Sequence, residues 1–253
     1  MSITHHPFAF TPREGGRVLC FTAHPDDVDF GAAGTIAAWT AAGVDVVYCV
    51  MTDGDAGGFE AEEDIASRRL EEQRRAAALV GVSEVHYLHE RDGYLEPGHH
   101  VIAQVVALIR RYRPDVVLTM HPERNWDRLQ KSHPDHLAAG EIVTRAVYPA
   151  AENPFAYPEL EEQGLKAYKV PQLWFIAAPL ERENHFVDIS GTVDAKLAAI
   201  HIHASQHPDP EAMDAEVRAQ LAENGRRAGA VPGVLAEGFH VVVVNGSDTF
   251  AGF

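Results

Sequence analysis

The sequence predicts an α/β protein with a doubly wound, mostly parallel sheet and helices on both faces of that sheet. Short apolar runs alternate with helical patterns over the first 150 residues, in the order β-α-β-α-β-α-β-α. The apolar runs are nearly continuous, which is typical of strands buried on both faces of a parallel sheet. Polar loops follow these runs, and open α/β sheets bind their ligands at the carboxyl ends of the strands.

Five apolar runs are interpreted as the strands of the main sheet, and two later runs as C-terminal strands. The predicted strands are 18–21, 44–51, 84–88, 115–120 and 173–177, then 186–189 and 240–244, the last at an edge. The predicted helices are 32–42, 61–80, 101–112, 136–147 and 193–205, with a partly helical segment over 208–229. Right-handed crossovers favour the Rossmann-like order 3-2-1-4-5, in which the first and fourth strands are neighbours.

Length and composition indicate one globular domain. The chain has 253 residues, of which 46% are hydrophobic and 23% are charged, so 1–253 is interpreted as a single domain. Residues 1–16 are predicted to form an N-terminal arm. Residues 149–170 contain three prolines and are predicted to form an irregular excursion near the functional site.

The charge of the chain argues against polyanionic partners. The formal net charge is -16, and charging all 15 histidines would still leave about -1, so we expect no binding to nucleic acid or to anionic membranes. The first ten residues lack the pattern of a signal peptide, and no run approaches the roughly 18 apolar residues of a spanning helix. We therefore expect a cytoplasmic protein.

A histidine and two adjacent carboxylates come directly after the first apolar run. His24, Asp26 and Asp27 lie in the predicted turn between the first strand and the first helix. A histidine and a carboxylate three residues apart can reach one small cation from a single turn, so His24 and Asp27 are candidate metal ligands. Asp26 then remains free to act on water.

The loop after the fourth strand supplies two further histidines. His133 and His136 lie three residues apart at a predicted helix start, so their side chains fall on roughly the same side. Across one crevice, His24, Asp27 and His136 can hold a cation and leave Asp26 and His133 free. Two histidines, one carboxylate and an open position form a catalytic zinc arrangement, which lowers the pKa of bound water towards about 7. Ferrous iron accepts the same ligands, and either half alone is also typical of solvated turns.

At these residues the sequence resembles the PIG-L/LmbE-like N-acetylglucosaminyl-type deacetylases, a family of zinc-dependent amide hydrolases. The run from Ala23 to Asp27 is similar to the Ala-His-Pro-Asp-Asp signature of that family, and the run from His133 to His136 to its His-Pro-Asp-His signature. Three shorter matches are Arg68 with Glu72, Asp92, and the His-Ala-Ser-Gln run over 203–206. The resemblance covers residues 17–206. It departs from the family at Val28, where many members carry Glu, with Asp29 as a neighbouring carboxylate.

The resemblance implies a zinc-dependent hydrolase that removes an N-acetyl or similar N-acyl group from an amino sugar or a small-molecule amide. The implied zinc ligands are His24, Asp27 and His136. The resemblance implies that Asp26 is the general base, and that His133 supports the oxyanion or protonates the leaving amine. It also places Arg68 and Asp92 on the substrate side. The implied partner is a small glycosidic N-acyl substrate.

Four further residues are candidates for contact with the substrate. Asp53 lies in a glycine-rich acidic loop, His121 and Trp126 lie in the loop after the fourth strand, and His203 follows a predicted helix. Each has a structural alternative. Asp53 can belong to an acidic turn, His121 can be a hydrogen-bonded histidine, Trp126 can be a packed aromatic, and His203 can cap the helix end.

Two alternative functions and the assembly state are also left open. A non-haem Fe(II) enzyme could use the same site, and a non-catalytic member could bind a ligand there. Loops around such a site often meet neighbouring subunits, which favours a homo-oligomer.

Overall fold

One mixed sheet organises the protein. The computed structural model describes residues 2–4, 13–58, 64–126, 128–207 and 209–246. Over these residues the strands are β1 Ser2–Thr4, β2 Arg17–Thr22, β3 Asp45–Thr52, β4 Glu84–Glu90, β5 Val116–Met120, β6 Gln172–Ile176, β7 His185–Asp188 and β8 Ala236–Val243. Their order across the sheet is β1-β7-β8-β6-β5-β2-β3-β4.

The predicted strands 1 to 5 correspond to β2, β3, β4, β5 and β6. Their predicted order, 3-2-1-4-5, is confirmed. Strands β4, β3, β2, β5 and β6 pair in parallel, so β2 and β5 are neighbours. The C-terminal strands extend the sheet in antiparallel pairs, with β8 beside β6 and β7 beside β8.

One expectation about the edge of the sheet is wrong. Strand β8 lies inside the sheet, because β7 and the short β1 pair beyond it. Strand β1 lies within the predicted N-terminal arm and pairs antiparallel with β7. Residues 5–12 of that arm lie outside the described residues.

Helices cover both faces of the sheet, as predicted. They are α1 Asp27–Ala41, α2 Ile65–Leu79, α3 His99–Tyr112, α4 Pro134–Arg145, α5 Pro158–Glu162, α6 Val193–Ile202 and α7 Pro210–Arg227. Helix α1 begins five residues before its predicted start, with Asp27 and Asp29 in its first turn. Carboxylates are favourable there because the helix dipole is positive at its N-terminus. The early start makes Asp27 the first residue of the helix.

Close packing of α4 on β5 brings the two signature segments together. A Cβ on Gly140 of α4 would lie 2.5 Å from the carbonyl oxygen of Met120, the last residue of β5. Glycine therefore allows the helix to approach the end of the strand. The start of α4, which carries His133 and His136, consequently lies beside the turn after β2.

The segment 149–170 lies differently from the predicted excursion. It contains α5, and Arg110 in the last turn of α3 donates hydrogen bonds to carbonyls of this segment, among them those of Ala150 and Asn153. Tyr168 donates to the carbonyl of Pro114, just before β5. These contacts lie at the amino end of β5, whereas the expected position was beside the crevice at its carboxyl end.

Within the described part of the chain, no helix has both the length and the apolar character that a membrane crossing requires.

Candidate active site

The turn between β2 and α1 is tied to the first residue of α1. The backbone N–H of His24 donates to Oδ2 of Asp27 at 2.8 Å. Between them, Asp26 has φ 97° and ψ -30°, a conformation that residues with a side chain rarely adopt. The turn therefore holds His24 and Asp27 close together through a strained intervening residue.

The structure brings the three predicted metal ligands together. Nε2 of His136 lies 2.9 Å from Oδ1 of Asp27 and 3.3 Å from Nδ1 of His24. The donor atoms of all three side chains lie within 4.8 Å of one another. The predicted crevice between the loops after β2 and β5 therefore exists, and Nδ1 is the nitrogen of His24 that faces it.

The other nitrogen of His24 faces two carboxylates. Its Nε2 lies 3.1 Å from Oδ1 of Asp92 and 3.2 Å from Oδ2 of Asp135. Asp135 is fully buried and also accepts the backbone N–H of Gly93 at 2.7 Å. A metal-binding histidine usually donates its second N–H to a carboxylate in this way, which fixes the ring and raises its basicity.

The surrounding charges favour a cation at His24. Burial alone lowers the pKa of His24, but hydrogen bonds to Asp135, Asp27 and Asp92 outweigh burial and raise this pKa to about 12. The same carboxylates would stabilise a divalent metal in place of a proton. Donor type, spacing and charge therefore fit a zinc or ferrous ion held by His24, Asp27 and His136.

A second set of donors shares His24. His24, Asp92 and His133 also have ligand atoms within 4.8 Å of one another. This set would use the face of His24 that Asp135 already occupies. The set with His136 is the better metal site, because it leaves the His24–Asp135 hydrogen bond intact.

Asp26 lies beside the metal-ligand set in a largely buried position. Oδ2 of Asp26 is 3.5 Å from the guanidinium of Arg69 and 3.9 Å from Nε2 of His207. Burial and the charge of Asp27 raise the pKa of Asp26 to about 6, against the opposing charge of Arg69. The carboxylate is thus mostly ionised at neutral pH and basic enough to accept a proton.

His133 lies across the crevice from His24, with ring centroids 4.9 Å apart. Burial and the charge of His24 lower the pKa of His133, so its ring is neutral at pH 7. Nδ1 of His133 accepts the backbone N–H of Asp135 at 3.3 Å. We therefore assign the proton of the neutral ring to Nε2, where it can be donated.

The predicted substrate residues near α2 and the acidic loop separate into two groups. Asp92 lies in the crevice, against His24 and 3.6 Å from the guanidinium of Arg69. Arg68 instead pairs with Glu72 along α2 and lines a cavity between α2 and α6. Asp53 pairs with the exposed His89 at 2.8 Å.

The other three candidates also lie outside the metal-ligand set. His121 is buried against His240 of β8, with 3.0 Å between their nitrogens. Trp126 is 80% exposed, and Arg124 lies over its ring at 5.7 Å. His203 is 1% exposed and contacts Asp29, so it is buried behind the crevice and out of reach of a substrate. The substrate roles expected for Arg68 and His203 are therefore not supported by their contacts.

Sequence reasoning missed Arg69 and Gln73, which α2 presents to the turn after β2. The guanidinium of Arg69 contacts both Asp26 and Asp92, and the amide of Gln73 accepts the backbone N–H of Asp26. Both side chains share a buried stripe of α2 with Ile65, Glu72, Ala76 and Ala77. That helical spacing was the available signal, but polar residues in the stripe made it resemble a solvated face.

Fold and site together define a member of a known family. Residues 19–147 match the PIG-L family model, described as GlcNAc-PI de-N-acetylase. The chain therefore belongs to the PIG-L family, as the two signatures predicted.

Similar proteins include enzymes of known substrate. A diacetylchitobiose deacetylase of Thermococcus kodakarensis is 37% identical over 196 residues, covering 76% of this chain and 71% of the relative. A 1D-myo-inositol 2-acetamido-2-deoxy-alpha-D-glucopyranoside deacetylase of Rhodococcus erythropolis is 28% identical, covering 75% and 81%. The structure of an N,N'-diacetylchitobiose deacetylase from Pyrococcus horikoshii superposes with a TM-score of 0.81 at 29% identity, covering 90% and 84%.

Proposed function

We propose that this protein is a zinc-dependent N-deacetylase that removes the acetyl group from an N-acetylglucosaminyl unit of a small glycosidic substrate. The observation that carries the proposal is that His24, Asp27 and His136 lie close together in a chain of the PIG-L family. Beside them lie the carboxylate of Asp26 and the imidazole of His133, which do not belong to this ligand set. The relatives named above act on different molecules that share a 2-acetamido-glucose unit. That unit is therefore the part of the substrate we assign here.

The residues divide the chemistry between them. His24, Asp27 and His136 would hold the zinc ion, which when bound polarises the amide carbonyl and acidifies water. Asp26 accepts the proton of the attacking water on its carboxylate. His133 donates a hydrogen bond from its Nε2–H to the developing oxyanion. The proton that Asp26 took from water then passes to the leaving amine, which departs poorly without a proton.

The pKa of Asp26 and the hydrogen bond at Nδ1 of His133 support the roles of these two residues. A pKa of about 6 leaves Asp26 ionised at pH 7 and close to the best value for a base working there. Nδ1 of His133 accepts a backbone N–H, so the ring carries its hydrogen on Nε2, where it can be donated to the oxyanion in a hydrogen bond. A cytoplasmic location and assembly into a homo-oligomer remain predictions of the sequence.

The test is acetate release by zinc-loaded protein from N,N'-diacetylchitobiose and from N-acetylglucosaminyl-inositol. We expect turnover of at least one of these compounds under anaerobic conditions. In Asp26→Ala we expect kcat to fall by about 10²–10⁴-fold, with zinc retained at one ion per chain. Asp194→Ala, which removes an exposed carboxylate on α6, is the matched control.

Three results would contradict the proposal in different ways. Full activity of zinc-loaded Asp26→Ala would remove the assigned base. Oxygen-dependent turnover with iron alone would favour the non-haem iron enzyme. Tight binding of these compounds without acetate release would favour a non-catalytic member.

A further inference from the structure

Helix α2 holds both polar groups of one peptide unit in the catalytic turn. The carbonyl oxygen of Pro25 accepts a hydrogen bond from the guanidinium of Arg69 at 2.9 Å. The N–H of Asp26, on the same peptide unit, donates to Oε1 of Gln73 at 2.8 Å. Arg69 and Gln73 are four residues apart, so they lie on one face of α2 in successive turns. The two side chains fix the plane of the Pro25–Asp26 peptide.

This peptide precedes the strained residue of the site. Asp26 has φ 97°, and such a conformation is costly for a residue with a side chain and persists only where the surroundings impose it. The angle φ measures rotation between the preceding peptide plane and the rest of the residue. Holding that plane therefore helps to set the direction in which the Asp26 carboxylate leaves the main chain.

Gln73 is itself held from behind by a buried carboxylate. Its amide nitrogen donates to Oδ2 of Asp29 at 2.8 Å, and the same oxygen lies 2.8 Å from Nε2 of His203. Gln73 and Asp29 are fully buried. Because the carboxylate takes a hydrogen from the amide nitrogen, the amide oxygen must point towards Asp26.

This chain of contacts accounts for two features of the sequence that the proposed mechanism does not use. Val28 packs in the core, and the neighbouring Asp29 is the buried carboxylate next to the site. In the His-Ala-Ser-Gln run, His203 binds Asp29, and Ser205 donates to Glu72, the neighbour of Gln73 on α2. The run thus braces α2 against the first turn of α1.

We propose that Gln73, oriented by Asp29 and His203, is a positioning residue that holds the general base Asp26 in its strained conformation. The inference rests on the proposed function, in which Asp26 accepts a proton from water. Gln73 touches neither the metal-ligand set nor the open crevice through its hydrogen bonds, so its removal should lower kcat and leave KM and zinc affinity unchanged.

The first variant is Gln73→Met, which keeps the size of the side chain and removes both hydrogen bonds. We expect kcat to fall at least about tenfold, because a small misplacement of a reacting group is costly. KM for diacetylchitobiose and zinc content should stay within twofold of the wild type. Glu71→Gln is the control on the same helix, since Glu71 is an exposed carboxylate of α2 that pairs with Arg74. We expect that variant to keep the kcat of the wild type.

A second variant reverses the hydrogen bonds at residue 29 and keeps the one that the Asp26 N–H donates to residue 73. In Gln73→Glu with Asp29→Asn, the new carboxylate accepts the Asp26 N–H and the hydrogen of the new amide. The second hydrogen of that amide can be donated to Nε2 of His203 once the ring proton moves to Nδ1. Among the described residues, Nδ1 of His203 has no hydrogen-bond partner, so this tautomer costs no existing bond. We expect the double variant to regain most of the kcat lost in Gln73→Met.

Each outcome decides the inference. Wild-type kcat in folded, zinc-loaded Gln73→Met overturns it, as does an equal loss of kcat in Glu71→Gln. If Gln73→Met does not fold, the double variant decides, and its failure to give an active enzyme overturns the inference. Failure of the proposed function is distinguishable, because the zinc-loaded wild type would then release no acetate, or Asp26→Ala would keep full activity, whatever the Gln73 variants do.

Discussion

Two histidine clusters in this protein differ in the charge of their surroundings. His24 and His136 lie among the carboxylates of Asp27, Asp92 and Asp135. His121, which directly follows β5, packs edge-on against Phe175 with ring centroids 5.0 Å apart. Its Nδ1 accepts the backbone N–H of Glu123, and its Nε2 faces His240. Both clusters lie at the carboxyl ends of strands, but only the first is built around negative charge.

The opposite pKa shifts show what this difference does. Burial lowers the pKa of a histidine in both clusters. At His24 three carboxylates reverse that effect and raise the pKa to about 12. At His121 the charge of His240 adds to burial and lowers the pKa to about 4. Buried histidines that are close together therefore attract a cation only when carboxylates accompany them.

The largest expected effect comes from removing one ligand of the first cluster. In His136→Ala we expect zinc affinity to fall by more than about 100-fold, since the loss of an outer partner alone costs about 10–100-fold. Zinc per chain, measured by mass spectrometry after dialysis, should drop to background. His121→Ala is the matched variant of the second cluster and should retain one zinc ion. Loss of zinc in His121→Ala as well would show that the two clusters do not differ in metal binding.

A smaller effect is expected when the first cluster keeps its ligands and loses a carboxylate. In Asp135→Asn, His24 loses a charged acceptor at Nε2, so we expect zinc affinity to fall by about 10–100-fold. Competition with a chromogenic chelator measures this change. Asp45→Asn, which removes an exposed carboxylate near the amino end of β3, should leave affinity unchanged. Unchanged affinity in folded Asp135→Asn would show that Asp135 does not tune His24.

Sequence patterns predicted the parts of the fold that repeat a simple rule. Apolar runs located the strands, and the handedness of crossovers predicted that β2 and β5 are neighbours. That single inference placed His24 and His136 in one crevice. The extra edge strand β1 escaped prediction because three residues are too few to show a pattern.

The support behind the site was not predictable in the same way. Arg69 and Gln73 lie on the buried stripe of α2, but hydrophobic periodicity records only apolar residues. Their partners come from the turn after β2, and Asp29 is held by His203, 174 residues further along the chain. Such pairings depend on tertiary contacts that no local pattern encodes. Arg68 rather than Arg69 was expected at the substrate because the resemblance to the family matched Arg68 with Glu72.

The smallest expected effect tests the second cluster through its pH dependence. The folded protein holds the pKa of His121 at about 4, below the ordinary value of 6.5. Between these values the unfolded chain binds a proton that the folded chain does not, so stability falls as pH falls through this window. The contribution is fully present above pH 6.5. In chelator-treated protein, His24 acts in the opposite sense, because its stabilising effect is present below 6.5 and is lost as pH rises towards 12.

Urea unfolding measures the contribution of His121 to the free energy of unfolding. The proteins compared are chelator-treated wild type and His121→Gln, each at about pH 7.5 and about pH 4.5. We expect the wild type to lose up to about 2 kcal/mol more of its unfolding free energy than the variant between the two pH values. His201→Gln, which replaces an exposed histidine of α6, should follow the wild type at both. Equal losses in wild type and His121→Gln would mean that His121 gains its proton as easily in the folded protein as in the unfolded chain. The two clusters would then differ in the carboxylates around His24 and not in a lowered pKa at His121.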